Sequence, residues 1–126
     1  MTLTIVPLAL AVALATVFTN RAFAQEQAPP SYKAQPDVYR LLSENEHFRV
    51  IEATWKPGQR DAWHSHAGQL AAYRLTDCSS RIHTPDGKSQ VRNGEAGGVT
   101  FNPVIQSHSF ENIGAKECKT IFVEKK

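Results

Sequence analysis

His64 and His66 stand one residue apart in the stretch Ala62-Trp63-His64-Ser65-His66. In an extended backbone alternate side chains share a face, so both imidazoles would point the same way and could grip one ion. Neutral imidazole suits Zn, Fe, Mn, Ni and Cu, and geometry selects among them. Two exposed histidines on a solvated strand have the same spacing, so a third donor is needed before the pair reads as a metal site. A further histidine, His108, stands downstream in the patterned segment Gly97-x5-Pro103-x-Ile105-x2-His108-x3-Asn112. His47 and His83 fall beside the ends of expected strands and read as surface residues.

Elements must carry these donors to one point. Beyond Asp37 no run of ten or more residues shows a helical period; short β-like runs alternate with turn signals. The turns are Lys56-Pro57-Gly58, Thr84-Pro85-Asp86-Gly87 and Asn93-Gly94, where proline fixes φ or glycine tolerates positive φ. The runs are Val38–Leu42, Phe48–Trp55, Ala62–His66, Leu70–Thr76, Arg81–Thr84, Ser89–Arg92, Val99–Asn102, Ser107–Asn112 and Cys118–Glu124. Nine short runs punctuated this regularly predict an all-β domain, an antiparallel sandwich or barrel. Trp55, Tyr73, Phe101, Phe110 and Phe122 are its expected core aromatics.

The segment Gly58-x5-His64-x-His66, taken with the His108 segment, resembles the two sequence motifs of the cupin superfamily. The first family motif is Gly-x5-His-x-His-x3,4-Glu-x6-Gly, and the second is Gly-x5-Pro-x-Gly-x2-His-x3-Asn. The resemblance spans roughly Leu41 to Glu124 and is closest to small single-domain cupins, through Trp55-Lys56-Pro57-Gly58 and Tyr73-Arg74-Leu75-Thr76-Asp77. It implies a single antiparallel jelly-roll barrel with one divalent transition ion inside, held by His64, His66 and His108. The family glutamate is missing: Leu70 and Ala71 occupy its two places, and Gln69, one position early, is the nearest oxygen donor. Ile105 replaces the second-motif glycine. The His-x-His-x-Asp-His pattern of β-lactamase-type metallohydrolases does not fit, because Ala67-Gly68-Gln69 follows His66.

In the implied barrel Phe101 and Phe110 are placed to wall a substrate pocket. Arg74 faces that pocket if alternation is counted from Leu70 and faces solvent if it is counted from Gln69, since a one-residue slip reverses every side chain. Turned inward, its guanidinium could clamp a carboxylate with two parallel hydrogen bonds. A jelly roll sets its last strand antiparallel beside the one that follows the His-x-His strand, which brings Cys78 and Cys118 together. Closing a loop of about 40 residues would contribute roughly 4 kcal/mol on the chain-entropy model.

That pairing presupposes an oxidising compartment, and the N-terminus points to one. Leu3 to Phe18 is apolar except for Thr4, Pro7 and Thr16; a polar break and Ala22-Phe23-Ala24 follow. This reads as a signal peptide over residues 1–24, cleaved to a periplasmic or secreted protein with no membrane segment. The alternative is an uncleaved anchor. Residues 25–37, with Pro29, Pro30 and Pro36, read as an extended arm before a domain at 38–126. A formal net charge of +2 over 126 residues is too small for a nucleic-acid or anionic-membrane footprint. The functional expectation is a metal-dependent enzyme (oxygenase, isomerase or lyase) acting on a small polar or anionic substrate. Its rivals are a binding module for a carboxylate or sugar-like ligand, with or without metal, and a scaffold whose histidines are satisfied core. A homodimer is expected from the resemblance alone.

Overall fold

The structure, a computed structural model, describes residues 26–126. The expected signal segment and its cleavage site lie outside the described residues. Nine strands follow a single helical turn, α1 (Ser31–Ala34): β1 (Tyr39–Glu44), β2 (Phe48–Trp55), β3 (His64–His66), β4 (Leu70–Arg74), β5 (Cys78–His83), β6 (Ser89–Gly94), β7 (Val99–Asn102), β8 (Ile105–Asn112) and β9 (Cys118–Lys125). They form a five-stranded sheet in the order β1-β2-β9-β4-β7 and a four-stranded sheet in the order β3-β8-β5-β6. Every ladder between them is antiparallel. The all-β, jelly-roll expectation is met.

Alternation within each strand explains which side faces the core. In β2, Ile51, Ala53 and Trp55 are buried, while Val50, Glu52 and Thr54 between them are less so. Burying a side chain of the size of Ile51 contributes about 1.5–3 kcal/mol. Trp55 stacks on Phe110 with ring centroids 4.1 Å apart and meets Tyr39 edge-on at 5.4 Å. On β4 the inward residues are Leu70 and Ala72, opposite Glu124 and Phe122 of β9.

The same ladders turn two expected core aromatics outward. Phe101 pairs with Ala71 and Tyr73 with Val99, on the face opposite Leu70. Phe101 is 83% exposed and Tyr73 47%. Asn93-Gly94, expected as a turn, instead ends β6 opposite Ser79 and Cys78; the chain reverses later, at Gly97 with φ of 82°. The turn at Gly87 is as expected, with φ of 82° and its N–H donating to Thr84 O at 3.0 Å.

The proline-rich arm is docked along the barrel. Ser65 N donates to Pro29 O at 2.8 Å and Ala28 N to Gln106 O at 3.0 Å, and Pro30 forms a parallel bridge with Ser65. The arm thus covers the free edge of β3, whose donors and acceptors would otherwise be open to another chain. Across the barrel, a disulfide joins Cys78 on β5 to Cys118 on β9, with Cα atoms 5.3 Å apart, and so staples one sheet to the other. Among the described residues no helix is long and apolar enough to cross a membrane.

Candidate metal centre

Strand β3 has only three residues, and all of them are buried. His64 and His66 turn inward, while the docked arm covers Ser65 on the other side. In the β3–β8 ladder His64 pairs directly with His108, and an irregularity then shifts His66 opposite Ile105. Cross-strand pairing therefore delivers the third imidazole. Ring centroids lie 4.3 Å apart for His64 and His108, and 5.2 Å apart for each of the other two pairs. One ligand atom from each of the three lies within 4.8 Å of the others.

Each ring is held differently. His64 Nδ1 donates to the Ala62 carbonyl at 2.9 Å, which leaves its Nε2 as the lone-pair nitrogen. His66 Nδ1 donates to Glu124 Oε2 at 3.0 Å. His108 Nε2 is buried with no hydrogen-bond partner among the described residues. Burial, and then the neighbouring imidazoles and Arg92, push the His108 pKa down to about 2. Burial also lowers His64, against the opposing pull of Asp61. Both rings are neutral near pH 7 and keep a lone pair to offer. An orphaned buried nitrogen beside two fixed imidazoles fits a bound transition ion.

Glu124 was not legible as a site residue. It is buried on β9, the cross-strand partner of Leu70, which occupies the place of the absent family glutamate. A buried carboxylate thus stands on the strand beside that place. From there it fixes the tautomer and tilt of His66, as outer carboxylates do for metal-binding histidines. A second buried network, equally unannounced, joins Tyr39, Asp61 and Trp55. Asp61 Oδ2 accepts from Tyr39 Oη at 2.6 Å and from Trp55 Nε1 at 2.9 Å, and Asp61 Oδ1 accepts from Phe110 N at 2.7 Å. Burial and the Asp61 carboxylate hold the Tyr39 phenol well above its ordinary pKa.

A cavity of about 310 Å³ reaches His66 and His108. Trp55, Phe110 and Phe122 form apolar wall; among the described residues Arg74 and Arg92 supply its full charges, and no Asp, Glu or Lys lines it. Arg74 therefore takes the inward register, and Phe110 is on the wall as expected. Phe101 and Gln69 are not brought to the site. Both line a shallow groove outside the barrel, because Gln69 precedes the inward Leu70 and Phe101 lies on the outer row with Ala71. Room for Arg74 comes from Gly94: a Cβ there would collide with the Arg74 guanidinium.

No family model matches the chain, and comparison with curated proteins finds no relative. Solved structures do resemble it. A cupin domain from Bordetella pertussis aligns with TM-score 0.65 and 22% identity, over 79% of this chain and 97% of that one. An RmlC-like cupin with a double-stranded β-helix fold from Methanocaldococcus jannaschii aligns with TM-score 0.57 and 13% identity, over 90% and 93%. A polyketide cyclase from Streptomyces resistomycificus gives TM-score 0.54 and 21% identity, over 69% and 63%. Together with the two-sheet topology, these likenesses establish that the chain has the cupin double-stranded β-helix fold.

Proposed function

We propose that the protein is an exported, metal-dependent enzyme that takes a small anionic molecule into its barrel. The observation that carries this reading is His108 Nε2, buried and unpartnered beside His64 and His66. His64, His66 and His108 would hold a divalent transition ion, Fe, Mn, Ni, Cu or Zn. Such an ion supplies Lewis acidity, and Fe, Mn, Ni or Cu add one-electron chemistry.

The remaining roles belong to the chain itself. Glu124 and the Ala62 carbonyl fix two of the rings before any ligand arrives. Arg74 has no ion-pair partner among the described residues and, with Arg92, makes the cavity attractive to a carboxylate. Trp55, Phe110 and Phe122 displace water from the apolar part of the ligand. Export is supported by the disulfide and by the Ala22-Phe23-Ala24 site. A second reading, a binding module without turnover, is favoured by one feature: among the described residues no carboxylate or lysine lines the cavity to serve as general base.

Elemental analysis of untagged protein tests the metal centre. Near-stoichiometric transition metal, lost in His64→Ala and in His108→Ala, is expected. Metal-free protein that takes up none of the five ions would overturn the reading. Turnover of small carboxylates by loaded protein, with and without oxygen, then separates enzyme from binding module.

A further inference from the structure

The geometry points to Tyr39 as a fourth donor to the metal centre, through its phenolic oxygen. This inference rests on the metal reading above and adds an oxygen ligand to its three nitrogens. Tyr39 opens β1, is 2% exposed, and lines the cavity together with His66 and His108. Its Oη lies 3.0 Å from His64 Nε2.

An inventory of protons shows that this approach is not an ordinary hydrogen bond. Tyr39 gives its single proton to Asp61 Oδ2 at 2.6 Å, and Asp61 also accepts from Trp55 Nε1 and from Phe110 N. The Ala62 carbonyl can only accept, so the His64 proton sits on Nδ1 and Nε2 carries a lone pair. The lone pairs of Oη and Nε2 therefore face each other with no proton between them. A cation within reach of both would offset the repulsion between two electron-rich atoms in a buried site. At 3.0 Å the two atoms are close enough for one small cation to touch both.

Coordination by Tyr39 also answers the loss of the family glutamate, since three imidazoles alone bring no negative charge. Asp61 Oδ2, 2.6 Å from Tyr39 Oη, would be the acceptor for the phenolic proton were Tyr39 to bind as phenolate, so charge and atoms would balance. Asp61 is then a positioning residue, and Tyr39 a ligand.

Copper(II) is the probe. Added to the metal-stripped, untagged protein with its disulfide intact, it should give a visible phenolate-to-copper charge-transfer band. Resonance Raman excited in that band should show phenolate modes that shift when tyrosine is ring-deuterated. Tyr39→Phe should bind copper with nitrogen hyperfine splitting still present, but without the band and with affinity lowered roughly tenfold or more. The Raman measurement on the unaltered protein decides the matter even if Tyr39→Phe does not fold. Copper bound to the unaltered protein without the band, or a Tyr39→Phe spectrum and affinity equal to the parent's, would overturn the tyrosine assignment alone. Failure of the unaltered protein to bind copper or any of the other four ions overturns the metal reading, and the assignment falls with it.

Discussion

His108 couples the site to the stability of the barrel. Its imidazole stays neutral in the fold down to about pH 2, whereas the unfolded chain takes up a proton on a histidine near pH 6.5. Below roughly pH 6.5 the unfolded state holds more protons, so unfolding becomes easier as pH falls toward the folded value. His64, also lowered by burial, acts in the same direction. Metal-stripped protein should therefore show a falling urea midpoint from about pH 6.5 downward, with a shallower slope in His108→Gln. Equal slopes would mean that His108 is not held neutral. At this scale the three histidines were legible because their spacing is local and patterned. Glu124 and Tyr39 were not, since the packing of one sheet on the other brings them to His66 and His64 from 58 and 25 residues away. No short-range spacing encodes such a meeting.

Strands were legible wherever alternation and turn chemistry agree. The FRVIEATW run forms β2 with the bounds expected from its β-branched and aromatic content. Two readings failed, each for a reason that lies between strands and not within one. Residue type placed Phe101 and Tyr73 in the core, but the β4–β7 ladder puts both on the outer face. The Asn93-Gly94 dipeptide signalled a turn, yet its glycine serves a close approach, giving Arg74 passage over β6. That use would make Gly94 a determinant of the proposed ligand binding. Gly94→Val should displace the guanidinium and weaken binding of a small carboxylate such as benzoate roughly tenfold, the loss of a charged hydrogen bond. Titration calorimetry on metal-loaded protein checks this, and copper affinity should stay at the parent value. An unchanged benzoate affinity would show that Arg74 is not the anchor.

Viewed across the whole barrel, the disulfide and the histidine cluster are two fastenings on one chain. The 78–118 loop closed by the disulfide contains His108 but neither His64 nor His66. An ion held by all three histidines would close a second loop, of about the same length, that overlaps the first. Overlapping loops restrict the same unfolded segment, so their stabilising effects should not add. Reduction should lower the Tm of the metal-stripped protein by more than it lowers that of the loaded protein, and a thermal scan of the four states measures the difference. Equal shifts would mean that the two fastenings act independently.

Cysteine pairing carries a further consequence for maturation. A thiolate is the softest donor this sequence possesses, and Cu(I) or Zn arriving at a nascent, still reduced chain would be drawn to Cys78 and Cys118 before any imidazole. Once the sulfurs have bonded to each other that trap is gone, and an incoming ion finds nitrogen. Oxidation first, loading second, is the order of assembly in which such an ion reaches its intended seat.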